Sequence, residues 1–346
     1  MPDPLRKKNN RLFFYNRLTK AKDISHLPVN LKEMEKTIRQ YPFCVSPYFL
    51  SLVKYANDPI WKQAIPSIQE LHDTAAPDPL CETEQSPVPG IIHRYPDRVV
   101  LLAENRCFML CRHCMRKNMP WHGKRQKEVL AGCINYIKKT PSVFEVILSG
   151  GDPLVMEDSR LFNLLSELCK IPHVKVLRIH TRAPSALPGR ITRKLADGLK
   201  EFQPLYINIQ FNHPSEITPE STRACRMLAD AGTAPGSQTV LLKGVNDDYK
   251  TLKKLFTGLL EIRVKPYYLH QLDKVKGVSH FHVPIIKGIS IMESLRGNIS
   301  GMAIPQYMID IPGGGGKAEI MAGKKSDNGK IQVKNFKGKV FEISTG

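Results

Sequence analysis

The chain has 346 residues, 42% hydrophobic and 24% charged, which suits one large domain or two small ones and excludes a largely disordered polypeptide. No run of 18 apolar residues occurs, so no membrane span is expected; the basic start MPDPLRKKNNRLFFYNR lacks the apolar core of a signal peptide, and the expected location is the cytoplasm. The net charge of +19 is scattered, with no basic block interleaved with aromatics, which points to a solvated basic surface rather than a nucleic-acid partner.

Residues 1–96 carry no alternating strand pattern. VNLKEMEKTIRQY and VSPYFLSLVKY read as amphipathic helices, and TAAPDPLCETEQSPVPG as a linker or extended crossing. From residue 98 apolar runs of strand length recur: 98–104, 144–150, 174–181, 205–211, 238–244, 265–273 and 306–313. Helical patterns such as SRLFNLLSELCK and ESTRACRMLADAG lie between most of them. This alternation predicts a parallel sheet covered by helices. Six or seven such units, with no GxGxxG after the first strand, fit a partial or complete (β/α) TIM-type barrel over 97–317 better than a doubly wound sheet. An N-terminal helical region over 1–96 and a short tail over 318–346 complete the expected organisation. Barrel chemistry belongs at the C-terminal strand ends, where Cys107 onward, Asp152, His180, Asn212, Asp247, Asp273 and Asp310 fall.

Of 8 cysteines, Cys133, Cys169 and Cys225 sit in helix-like apolar patterns and are expected as buried small hydrophobes. Cys107, Cys111 and Cys114, in RCFMLCRHCMRK, are crowded after the first strand. Structural zinc normally takes four ligands and a thioredoxin-like motif needs one CxxC pair, so neither predicts three thiolates. A cubane iron–sulfur cluster held by three leaves one iron open to a substrate. The Cys-x3-Cys-x2-Cys spacing resembles the radical S-adenosylmethionine (SAM) superfamily. That resemblance implies a 4Fe-4S cluster whose open iron chelates SAM and whose reduction yields a 5′-deoxyadenosyl radical. LSGGDPL (148–154) is similar to the superfamily's glycine-rich SAM segment, which makes Ser149, Gly150, Gly151 and Asp152, with His180 and Gln238, the expected SAM contacts.

IDIPGGGGKAEI (309–320) is not a phosphate loop, because Ala318 stands where Ser or Thr is required. A lysine on a mobile glycine loop at a barrel mouth could form a Schiff base with pyridoxal 5′-phosphate (PLP); a plain flexible loop reads equally well from these residues alone. Longer stretches carry more. SPVPGIIHRYPDRVVLL, the cysteine triplet, FNHPSEITPESTRACRMLADAG, VLLKGVND, PYYLHQLD, GISIMESLRGNISGMAIP and GGGGK, spread over most of 45–320, resemble the lysine 2,3-aminomutase family of PLP-dependent radical SAM enzymes. The resemblance implies Lys317 as the catalytic lysine that holds PLP, and places Arg94, Tyr95 and Arg98 around that cofactor, with the arginines on its phosphate. It implies Arg116 on the substrate carboxylate, and Asp273 and Asp310 on the substrate's distal ammonium. Two carboxylates in one pocket repel unless a cation sits between them. The pair therefore favours L-lysine over glutamate, and over arginine with its larger guanidinium.

The implied reaction is isomerisation of L-α-lysine to β-lysine by 1,2-amino migration, fed by an electron donor such as flavodoxin or ferredoxin, in a homo-oligomer. Two departures from the family pattern stand out. Long members bind zinc through a cysteine after GVND and a C-terminal cysteine cluster; here Asp248 takes the first position and no cysteine follows Lys317, so no zinc is expected. His270 replaces a tyrosine common in the catabolic enzymes and resembles the shorter paralogues that make β-lysine for elongation factor P. The rival readings are an aminomutase for arginine or glutamate, and a radical SAM enzyme acting on RNA, in which Lys317 would be idle.

Overall fold

The computed structural model describes residues 17–25, 27–119, 126–320, 325–326 and 329–346. The expected N-terminal region and C-terminal tail lie partly outside those residues. Among the described residues the first α-helices are α1 (Leu31–Gln40), α2 (Pro47–Ser51) and α3 (Pro59–Ala64), after a 3-10 turn at Ala21–Ile24. An extended crossing then leads into β1 (Ile91–Tyr95), β2 (Arg98–Glu104), α4 (Gln126–Lys138), β3 (Glu145–Gly150), α5 (Asp158–Cys169) and β4 (Val176–Thr181). There follow α6 (Ala183–Ala186), α7 (Arg193–Leu199), β5 (Leu205–Gln210), α8 (Pro219–Asp230), β6 (Ala234–Leu241), α9 (Tyr249–Glu261) and β7 (Lys265–Gln271). The barrel ends with α10 (Ile285–Leu295), β8 (Gln306–Ile311) and β9 (Gly316–Glu319).

Strands β1 to β9 pair in chain order. The six contacts from β2 through β8 are parallel, while β1 and β9 close the two edges antiparallel. Sequential order is the signature of a barrel rather than a doubly wound sheet. The edges do not hydrogen-bond as a ladder; the Lys317 backbone N–H on β9 instead donates to Tyr95 Oη on β1 at 2.7 Å. The fold is thus a partial TIM-type barrel.

Local sequence explains the elements. In α9, Asp248 accepts the Thr251 N–H at 2.9 Å as the N-cap, and Leu252, Leu255, Phe256 and Leu259 form one buried stripe. Each such side chain contributes about 1.5–3 kcal/mol on burial. In α8, Thr218 caps the Ser221 N–H and Pro219 opens the first turn. Cys133 and Cys225 are buried as expected, but Cys169 is exposed. It is the last residue of α5, off the stripe of Leu161, Leu164, Leu165 and Leu168.

Three expectations shift. β6 starts at Ala234 rather than 238, because Pro235 and Gly236 continue the strand; a Cβ on Gly236 would lie 2.8 Å from Asn208 Oδ1. The glycines before Lys317 are not a mobile loop but the turn of the β8–β9 hairpin, with Gly313, Gly314 and Gly316 at φ of 70°, 75° and 85°. Residues 318–346 are no simple tail, since β10 (Lys325–Ser326), β11 (Lys330–Lys334) and β12 (Val340–Ser344) build a second small sheet.

Strand alternation leaves the barrel hollow. On β4, Leu177, Ile179 and Thr181 are buried on one face, while Arg178 and His180 turn to the lumen. Asn208, Gln210, Gln238 and His270 do the same on later strands. Branched aliphatics usually fill this position in barrels; polar side chains here line an open centre.

Candidate active site

The lumen holds a cavity of about 930 Å³, lined by every catalytic, cofactor, substrate and metal residue singled out in the sequence. Asn212 and Asp247 are exceptions among the strand-end residues. Asn212 sits behind the wall, accepting the Val240 N–H, and Asp247 pairs with Lys287.

Cys107, Cys111 and Cys114 lie on the loop leaving β2. That loop is stitched to the N-terminal region: Leu110 N–H donates to Cys44 O at 2.8 Å and Arg112 N–H to Gln63 O at 3.0 Å. Glu70 is buried beneath it and receives both the Arg112 guanidinium and, at 2.6 Å, Lys117 Nζ. Removing one partner of such a buried group costs about 3–5 kcal/mol. Burial first, and neighbouring thiolates second, push the Cys107 thiol well above its usual range and Cys114 up to about 11. Burial thus disfavours the thiolate form at Cys107 and Cys114 in the free chain, and a metal bound there would supply the positive charge that thiolate ligands need. Among the described residues no three His, Cys, Asp or Glu groups converge on a single ion. A cubane, whose irons occupy separate corners, needs no such convergence. The donor set fits the cluster. Arg182, which no sequence pattern marks, adds an Nη1 contact to Cys111 Sγ at 2.8 Å.

The GGD turn packs against this loop. A Cβ on Gly150 (φ 118°) would lie 2.2 Å from Glu104 O, and one on Gly151 would lie 2.3 Å from Arg106 O. Asp152 also plays a structural part, because its carboxylate accepts Leu154 N–H, Thr181 Oγ1 and Arg182 N–H. It caps the turn and ties β3 to β4, and its oxygens are committed within the protein. Because Gly150 faces backbone on both counts, Gly150→Ala is expected to destabilise by at least about 2 kcal/mol. Urea unfolding against the wild type checks this; equal midpoints would refute the close-approach argument.

Lys317 lies opposite Asp310 across the β8–β9 hairpin, and its Nζ binds the Asp310 carboxylate. Burial works against the ammonium, but Asp310 and then Asp273 outweigh it and hold the amine above the ordinary lysine range. Arg94, expected on a phosphate, here divides its guanidinium among Gln85 Oε1, Leu80 O and Asp310. Arg98 lies over the Tyr95 ring at 3.9 Å and pairs with the exposed Asp97. Arg178 and Glu145, also missed in sequence, form a partly buried pair on the same lumen wall. A carbonyl-reactive amine with guanidinium groups in one cavity fits PLP.

Arg116 is held by Glu82 in a two-pronged contact, Nε and Nη2 each at 2.8 Å from a carboxylate oxygen, with Nη1 3.4 Å from Ser149 Oγ. Glu82 comes from the stretch read as a linker, where nothing local marks it. Burial first, and then Asp310, push Asp273 up to about 8. Asp310 goes the other way: burial opposes its charge, but Lys317, which also hydrogen-bonds it, and Arg94 prevail. His180 and His270 are kept neutral, His270 at about 3, by burial and then by nearby cations.

The chain is similar to known proteins over most of its length. A family model described as lysine-2,3-aminomutase matches residues 292–343. An L-lysine 2,3-aminomutase of Fusobacterium nucleatum is 44% identical, over 93% of this chain and 79% of that protein. One from Clostridium subterminale is also 44% identical, over 95% and 82%. A glutamate 2,3-aminomutase of Clostridioides difficile is 39% identical, over 95% and 80%.

Proposed function

The chain belongs to the lysine 2,3-aminomutase family, and on that premise we propose that its cavity moves the α-amino group of L-lysine to the β-carbon, giving β-lysine. It is an isomerase that uses a 4Fe-4S cluster, SAM and PLP. The observation that carries the substrate assignment is that half-buried Asp273 and buried Asp310 line one cavity with Arg116. A glutamate side chain brought to that pair would add a third carboxylate; a lysine ammonium relieves the repulsion.

When bound, the cluster with SAM would supply a radical able to take a substrate hydrogen, and PLP would supply a carbonyl able to hold the amino nitrogen. The chain's residues bind and orient. Cys107, Cys111 and Cys114 hold the cluster. Ser149, Gly150, Gly151, Asp152, His180 and Gln238 line the SAM side. Lys317 holds PLP, with Tyr95 fixing the lysine's backbone and Arg98 offered to the phosphate. Arg116, aimed by Glu82, takes the substrate carboxylate, and the two aspartates take its ammonium, so the substrate is pinned at both ends. The proposed division is a catalytic barrel over 97–317, to which 1–96 lends Glu82 and Arg94, and 318–346 lends Phe336 against Tyr95. The charge of +19 suits a small acidic electron carrier of the flavodoxin or ferredoxin kind. A cytoplasmic homo-oligomer completes the reading; no helix among the described residues is long and apolar enough to cross a membrane.

The test is anaerobic turnover after reconstitution with iron, sulfide, PLP and SAM, with L-lysine, L-arginine and L-glutamate offered in parallel. β-Lysine alone is expected. β-Glutamate or β-arginine instead would overturn the ammonium site. SAM cleavage without any β-amino acid would overturn the aminomutase reading.

A further inference from the structure

His113 stands between Cys111 and Cys114, lines the cavity and is only 4% exposed. No step of the proposed reaction uses it. Its protonation follows from a chain of hydrogen bonds that starts at the backbone. Val240 N–H donates to Asn212 Oδ1 at 3.0 Å. A backbone amide is always a donor, so that end of Asn212 is the oxygen. The other end, Nδ2, carries the hydrogens. It faces Gln63 Oε1 at 2.9 Å and His113 Nε2 at 3.1 Å. The Gln63 end is fixed independently, because Oε1 also receives Arg182 Nη2 at 2.6 Å and a guanidinium only donates. Gln210 Nε2 makes a second approach to His113 Nε2, also at 3.1 Å.

His113 Nε2 is therefore an acceptor and holds no proton. The imidazole proton sits on Nδ1. Nδ1 is buried and meets no acceptor among the described residues. A buried donor without a partner is costly and rare. Its other close neighbour is the Phe281 ring, met edge-on with centroids 6.1 Å apart. The strand ends of β5 and β6 thus lock one tautomer and present an N–H on the very loop that carries the three thiols.

We propose that His113 Nδ1–H donates a hydrogen bond to a sulfur of the iron–sulfur cluster and thereby favours the reduced cluster. The proposal rests on the reading of Cys107, Cys111 and Cys114 as cluster ligands. Reduction adds negative charge to the cluster, and N–H donors to its sulfurs stabilise that state and raise the reduction potential. His113 is a positioning and tuning residue in this account, and Asn212 acts through it by fixing the tautomer.

The test labels the protein with nitrogen-15 on histidine alone. The holoenzyme is reconstituted anaerobically, reduced, and studied by pulsed EPR with and without SAM. A histidine nitrogen coupled to the reduced cluster is expected in both samples, and its loss is expected in His113→Phe. Phenylalanine keeps the ring and its contact with Phe281. The variant's midpoint potential should also be more negative than that of the wild type. Full iron and sulfide content with no histidine coupling in the wild type overturns the proposal alone, and needs no variant to fold. Coupling that survives in His113→Phe assigns the donor to another histidine and overturns it too, as do equal potentials. A wild-type protein that fails to hold iron and sulfide overturns the cluster reading, and this proposal with it.

Discussion

Asp273→Asn should lower kcat/KM for L-lysine by about 10²- to 10³-fold and raise thermal stability at the same time. The loss follows from leaving a buried substrate ammonium with one carboxylate fewer, a cost of about 3–5 kcal/mol. The gain follows from the state of Asp273 in the free protein. Burial and the adjacent Asp310 raise it from 3.8 to about 8. Between those values the folded chain keeps a proton that the unfolded chain releases. Its contribution to stability is full below 3.8 and is lost as pH rises through 8. Asparagine removes that loss, so the variant's Tm advantage should grow with pH and level off above about 8. The same titration shapes binding. Below about 8 the lysine cation must displace a proton from Asp273, so wild-type kcat/KM should climb with pH and then flatten. The asparagine variant should lack that rise. Melting curves and initial rates across the range from about pH 6 to about pH 9 decide it. A variant with wild-type kcat/KM would remove Asp273 from the ammonium site.

The seven parallel strands were legible because each is a short, largely apolar run followed by a turn or helix; β3, with Glu145 to Ser149 all buried, is the clearest case. The edge strands were not. IIHRY is only partly buried and pairs on one side, and β9 is hidden behind glycines that look like a loop. β11 shows the alternation of a strand, with Ile331 and Val333 buried between exposed neighbours, but its lysines read as a tail. In the site, side chains that chemistry demands could be named from type and spacing. Those that position them could not. Glu82 is one acid among several in a proline-rich crossing, and only the folded chain brings it to Arg116. His113 sat in plain view inside the cysteine motif. Its donor role emerges only from the Val240–Asn212 contact, which no local sequence pattern encodes. Asp152 and Arg94 show the converse: both line the predicted site, yet their polar atoms are bound to partners within the protein.

Asp310→Asn should take up PLP faster than the wild type at neutral pH and still fail to turn over lysine. Uptake needs the Lys317 amine neutral, because only a free lone pair attacks a carbonyl. In the wild type the Asp310 carboxylate holds that amine as an ammonium, with its proton affinity raised above the usual lysine value. The wild-type uptake rate should therefore rise about tenfold per pH unit through the neutral range. Removing the Asp310 charge lets burial dominate and lowers the lysine's proton affinity, which shifts that rise to lower pH. The visible absorbance of bound PLP follows the rate. Borohydride reduction should fix PLP to the wild type and to Asp310→Asn, but not to Lys317→Ala. Equal uptake profiles in wild type and Asp310→Asn would mean that the hairpin pair does not govern the amine. The dead turnover has the same root. Asp310 parks the lysine cation in the free chain, and binding PLP at Lys317 would take that ammonium away from the carboxylate. The carboxylate so vacated, beside Asp273, is where the substrate ammonium goes. Two cations cannot share that position, so Lys317 has to leave Asp310 before the substrate ammonium takes its place.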